Sequence, residues 1–244
     1  MRTFGQINES ISKPIKPTRP IKRFKQIMKY YPVHLDIKNR NCLVVGGGAV
    51  GTRKVNTLLT CGARVTVVSP APTQQLKKLA SKGSVTLKNR AYQSTDLKEM
   101  FLVIGATDDE KLNQKISEDA GQIGILCNIA DRPEACNFIL PSIVQRGDLV
   151  ITISTSGQSP ALARQLRRQM EAQFGEEYAD FLLLMGAIRK KLLSRAHEPE
   201  AHKALFNQLI DSDLIELLRA GQKKELNLLL YEILGEGYRV EELL

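Results

Sequence analysis

The chain has 244 residues, 43% hydrophobic and 25% charged, the balance of a globular protein with room for one large or two modest domains. No apolar run is long enough to span a bilayer and no secretory pattern opens the chain, so no membrane-spanning helix is expected and a cytoplasmic protein is. Four cysteines (Cys42, Cys61, Cys127, Cys136) form no CxxC pair, which argues for reduced thiols over disulfides or zinc, and the net charge of +9 is unevenly spread.

Residues 1–29 carry eight Lys or Arg against one acid, Glu9, with Pro14, Pro17 and Pro20 and no periodicity. A disordered basic tail is expected, and because nucleic-acid binding rests on this tail alone, none is expected. Between Asp36 and Asp96 there is no acid at all but ten Lys or Arg, a bias that favours an anionic ligand by steering.

An unbroken apolar run at residues 42–45 suits a central parallel strand covered on both faces. Helical spacing over 49–61 places Val50, Val55, Leu58 and Leu59 on one side, and Gly62 closes that helix. A strand at 64–70, a helix at 74–82, a strand at 84–92 and a short helical turn at 96–100 follow. Then come a strand at 101–107, a helix at 110–120 and a strand at 125–131. This alternation predicts an α/β fold, a Rossmann-like doubly wound parallel sheet.

After Asp131 the pattern changes. Residues 137–155 read as two strands around Arg146-Gly147-Asp148, either a hairpin added to the sheet or a separate dimerisation unit. Ser159 as N-cap and Pro160 at the first helical position start a strong helix. From Glu176 onwards the chain reads as nearly all helical, with breaks near Glu198-Pro199, Gly221 and Gly235. The expected organisation is a tail (1–29), a Rossmann-like domain (30–140), a dimerisation region (141–174) and an α-helical C-terminal domain (175–244).

Gly46-x-Gly48-x-x-Gly51 fits the dinucleotide fingerprint in its proper place, strand before and helix after. The N-terminus of the helix that follows would face the phosphates. The acid that normally meets the ribose is missing: Ser69 stands there, followed by Pro70 and Ala71, so neither NAD nor NADP is selected by this position. Ligands in such sheets sit outside the carboxyl ends of the strands, where Thr107, Asp108, Asn128 and Asp131 also lie. Asp108 is either a cofactor contact or a helix cap. Asp131 is either a turn residue or a carboxylate that takes the proton released in a hydride-transfer oxidation. Ser154, Thr155, Ser156 and Gly157 lead into a helix N-terminus, which suits carboxylates or phosphates.

YYPVHLDIKNRNCLVVGGGAVGTRKV, GARVTVVSP, ATDDEKLN, CNIAD and FILPSIVQRGDLVITISTSGQSPALARQLR occur in this order. Together they resemble the precorrin-2 dehydrogenase family, also the N-terminal module of sirohaem synthase, some of whose members are ferrochelatases. The resemblance runs from residue 30 to about residue 191. It implies a homodimer that oxidises precorrin-2 to sirohydrochlorin with NAD, on the way to sirohaem. It maps the family's essential aspartate, the general base, onto Asp131, and cofactor contacts onto Ala49, Val50, Pro70 and Ala71. Arg53, Lys54, Arg132 and Arg164 are candidates to meet the tetrapyrrole's carboxylates, with Asn128 and residues 154–157 beside them. Iron insertion into sirohydrochlorin is a possible second activity, and no metal ligands can be read from the sequence. Thr155 falls where some members carry serine. The rival reading is a non-catalytic NAD(H)-sensing regulatory module.

Overall fold

Alternate side chains of the first strand, β1 (Asn41–Val45), feed two different cores. Cys42 and Val44 face one side and Leu43 and Val45 the other, all almost fully buried, which is why the run has no polar residue. The structure is a computed structural model that describes residues 28–195 and 199–244. Residues 1–27 of the expected disordered tail lie outside the described residues. Residues 34–244 form one unit and residues 28–33 belong to another.

β1 leads through α1 (Ala49–Thr60) to β2 (Arg64–Val68), then through α2 (Gln74–Ser81) to β3 (Thr86–Lys88). The chain returns through a 3-10 turn at Ser94–Leu97 to β4 (Leu102–Gly105), and α3 (Glu110–Ile123) connects to β5 (Leu126–Ile129). All neighbours are parallel in the order β3-β2-β1-β4-β5, as the alternation predicts. One face packs Val55, Leu58 and Leu76 of α1 and α2 against the sheet; the other packs Ile116 and Ala120 of α3 with Tyr92 and Leu97. Truncating Val44 or Leu43, both with no exposed surface, would cost about 2–4 kcal/mol.

The strand expected at 84–92 is much shorter. After Lys88 the chain bends so that Arg90 can reach Asp96, and the helical turn accordingly sits at Ser94–Leu97 rather than 96–100. α3 runs a turn beyond its expected end and stops where Gly124 takes a left-handed conformation (φ +71°).

Among the described residues β6 (Ser142–Arg146) and β7 (Leu149–Ile153) pair only with each other, as an antiparallel hairpin. α4 (Pro160–Gln173) starts as expected, with Ser159 Oγ accepting from Leu162 N–H, and packs on the hairpin. The rest is helical: α5 (Glu177–Arg195), α6 (Pro199–Ile210), α7 (Leu214–Ala220), α8 (Lys223–Leu234) and α9 (Val240–Leu243). Leu184, Ile188, Leu209, Leu214, Leu226 and Leu230 form their own core. Gly221 and Gly235 end α7 and α8 as expected. No described helix is long and apolar enough to cross a membrane.

Candidate active site

The strand order switches direction between β1 and β4, and the carboxyl ends of those two neighbours flank a crevice. β1 delivers the glycine turn into it. Gly46 has φ +112° and donates its N–H to Val68 O at 3.0 Å, and a methyl there would run into the Ala106 carbonyl. Gly51 lies against the Gly46 carbonyl, so any side chain would push α1 off the strand. Gly48 caps α1 with open space where a Cβ would stand, no side-chain cap and no acid in the first turn. The N–H groups of Ala49, Val50 and Gly51 therefore lack partners among the described residues. Free donors at the positive end of a helix dipole fit a pyrophosphate.

Two threonines brace this cradle, and the sequence reading misses both. Thr73 N–H donates to Gly47 O at 2.9 Å. Thr52 Oγ1 donates to Gly48 O at 2.9 Å, which spends its only proton, so Thr73 Oγ1 is the donor in the 2.9 Å bond between the two hydroxyls. Their signal is faint, since 21 residues separate them. Ser69, at the position of the missing ribose acid, is buried, and its Oγ accepts from Ala71 N–H at 3.2 Å. It shapes the Pro70-Ala71 turn, and those two residues are exposed.

At the end of β4, Thr107 is held by Asn113 of α3. Asp108 is exposed and is not the cap: Asp109 Oδ1 accepts from Leu112 N–H at 3.0 Å. The cap reading therefore moves one residue on, because Asp109 immediately precedes the helix.

At the end of β5, Asp131 is exposed with φ +62°, a left-handed conformation uncommon outside glycine and asparagine. Asn128 is buried, and its Nδ2 donates to Phe138 O at 3.1 Å. Burial, then the neighbouring Arg53 charge, lowers the pKa of Lys54; Asp131 and Cys136 act in the opposite direction, which puts Lys54 of α1 within electrostatic reach of Asp131. Arg132 is ion-paired with Glu110 of α3, so a substrate carboxylate would compete with Glu110 for it. The loop 154–157 comes alongside: a Cβ built on Gly157 would stand 3.7 Å from Pro133 Cγ. Within it Ser154 Oγ accepts from Ser156 N–H at 3.1 Å and Thr155 Oγ1 from Ser159 N–H at 3.2 Å, which leaves both hydroxyl protons to donate. Arg53 and Arg164 are exposed, and among the described residues neither guanidinium makes an ion pair or hydrogen bond. Arg164 lines an open depression along α4 with Gln165, Arg168 and Gln169. Among the described residues no cluster of three or more His, Cys, Asp or Glu is placed to hold a metal ion.

Residues 33–142 match a family model described as putative NAD(P)-binding, and residues 146–173 match that of the sirohaem biosynthesis protein central region. The siroheme synthase of Nitrosococcus oceani is 36% identical over 215 residues, 88% of this chain and 46% of that protein. The siroheme synthase of Thioalkalivibrio sulfidiphilus is 38% identical over 196 residues, 80% of this chain and 40% of the other. The chain thus spans less than half the length of these curated relatives. The solved structure of SirC, a precorrin-2 dehydrogenase, superposes with a TM-score of 0.68 at 28% identity, covering 84% of this chain and 98% of that one. With the glycine turn and the hairpin region both matched, the chain is similar over most of its length to the siroheme synthases and to SirC, a precorrin-2 dehydrogenase.

Proposed function

We propose that this protein is an NAD-dependent precorrin-2 dehydrogenase that oxidises precorrin-2 to sirohydrochlorin, with Asp131 as the general base. One observation carries the assignment of the base: an exposed carboxylate at the carboxyl end of β5, held at positive φ within electrostatic reach of Lys54, on the helix that starts at the glycine cradle. A residue in a sparsely populated conformation at a ligand-binding edge marks a position kept for chemistry.

NAD, when bound, supplies the hydride acceptor. The N–H groups of Ala49, Val50 and Gly51 hold its pyrophosphate, Pro70 and Ala71 flank its adenosine side, and Thr107 and Asp108 border the crevice at β4. Oxidation removes a hydride and a proton from the substrate, and Asp131 Oδ takes the proton. The exposed Arg53 and Arg164, with Lys54 and Arg132, meet the tetrapyrrole's carboxylates. The hydroxyls of Ser154 and Thr155 donate to them beside Ser156 and Gly157, while Asn128 fixes the β5 end from below.

In this reading residues 30–140 hold the cofactor, 141–174 join two copies into a homodimer, and 175–244 form the helical domain. The four cysteines are free, the state a reducing compartment maintains, and a cytoplasmic location belongs to the same reading. The test is Asp131→Ala: NAD binding should stay intact while NADH formation from precorrin-2 is abolished. Parent protein that binds NAD(H) without any turnover would instead make it a sensing module.

A further inference from the structure

After β5 the chain turns back on itself through Ala130, Asp131 and Arg132, then a 3-10 turn at Pro133–Ala135, and Cys136 closes the loop. The Cys136 sulfur sits at the centre of that reversal. It accepts from Ile129 N–H at 3.1 Å and lies 3.6 Å from Asn128 Nδ2. Its single proton has two carbonyls in range, Arg132 O at 3.1 Å and Ile129 O at 3.4 Å. The shorter distance assigns the S–H to Arg132. Asp131 therefore lies inside a ring whose two ends, Ile129 and Arg132, are both tied to one sulfur.

That ring bears on Asp131 because the aspartate has φ +62° with no glycine to make the conformation cheap. Such a backbone persists only where the surroundings over-determine it. Among the described residues Asp131 itself makes no ion pair or hydrogen bond, so its orientation is inherited from its neighbours in the loop. Ile129 is nearly fully buried, and the loss of its acceptor would leave a peptide N–H unpaired at the end of the strand that presents the aspartate. Burial raises the Cys136 pKa, more than the Ile129 bond lowers it, which keeps the thiol protonated and able to donate.

We propose that Cys136 is a positioning residue for Asp131, its thiol clamping Ile129 and Arg132 so that the carboxylate is aimed into the crevice. The proposal rests on Asp131 being the base. It goes beyond that reading in giving a function to a half-buried thiol that takes no part in the chemistry.

The experiment compares full-length Asp131→Asn, Cys136→Ala and Cys136→Ser, with anaerobic precorrin-2 turnover, NAD⁺ Kd and the unfolding midpoint as readouts. Cys136→Ala should lower kcat by at least about fivefold, the worth of one lost hydrogen bond, with Kd close to the parent's and only the modest fall in midpoint that one unpaired peptide N–H causes. Cys136→Ser, whose hydroxyl can accept from Ile129 and donate to Arg132, should recover most of the loss. Turnover kept in Asp131→Asn overturns the general-base reading and this proposal with it. Turnover lost in Asp131→Asn but kept in both Cys136 variants overturns the Cys136 assignment alone. A serine variant that restores nothing, or a Cys136→Ala defect that weakens NAD⁺ binding and stability in step with kcat, makes the thiol merely structural and also overturns it.

Discussion

Thr107 and Asn113 are hydrogen-bonded to each other twice, Thr107 Oγ1 donating to Asn113 Oδ1 and Asn113 Nδ2 donating back to Thr107 O, both at 2.8 Å. The pair fixes the end of β4 to the first turn of α3, next to the glycine turn, where a Cβ built on Gly46 would stand 3.1 Å from Thr107 N. Asn113 is buried, so replacing it with leucine removes both bonds and leaves the Thr107 carbonyl short of a partner. Asn113→Leu should lose about 2 kcal/mol of stability by chemical denaturation and bind NAD(H) more weakly in a fluorescence titration. Unchanged affinity would show that Thr107 does not border the cofactor.

Gly48 separates cofactor recognition from folding. Its φ of −74° suits any residue, and a Cβ there meets nothing within 4 Å. Gly48→Ala should therefore change stability by no more than about 0.5 kcal/mol while raising the NAD⁺ Kd, because the methyl stands where the pyrophosphate must approach the backbone. Parent-like affinity would move the phosphates elsewhere.

What could be read in the sequence followed from period and spacing. The apolar run 42–45 within β1, the glycine turn behind it and the Ser159-Pro160 helix start are local patterns, and each stands in the structure where its pattern places it. What stayed hidden depends on chain reversal. Thr52 meets Thr73, Thr107 meets Asn113, and Cys136 reaches back to Ile129 only once turns have brought them together. The short β3 has the same origin: Arg90 looks like a strand residue until Asp96 arrives to bend it away.

The hairpin offers an edge and a face for a second copy. In its register Ile143 lies opposite Thr152 and Val150 opposite Gln145, one row with Ile143 and Val150 both well exposed. A two-stranded sheet is marginal alone, and an exposed apolar row beside unpaired strand edges is a surface for association. Sedimentation should give a dimer for the parent and a monomer for Ile143→Glu/Val150→Glu, with circular dichroism unchanged. A monomeric parent would remove the dimer from the proposed function.

Acid should expose the weight carried by Asp96. Its carboxylate is 1% exposed and accepts from Arg90 through both oxygens at 2.8 and 2.6 Å, from Lys88 at 2.9 Å and from Gln93 N–H at 3.0 Å. The Arg90 bonds, assisted by Lys88 and Gln93 against the cost of burial, hold its pKa far below the usual carboxylate range. A depressed pKa means that the native state releases this proton more readily than the unfolded chain does. The stabilisation is thus fully present above the unfolded pKa, near 3.9, and drains away as pH falls towards the native value. Lys88 and Arg90 are over a third exposed, so water can take up their charge once the partner is gone, and Asp96→Asn should cost only about 2 kcal/mol at neutral pH. Denaturation of parent and variant from neutral pH down into the acid range should show the gap closing below about pH 4. A gap that stays constant with pH would mean that the asparagine loses packing or geometry rather than charge.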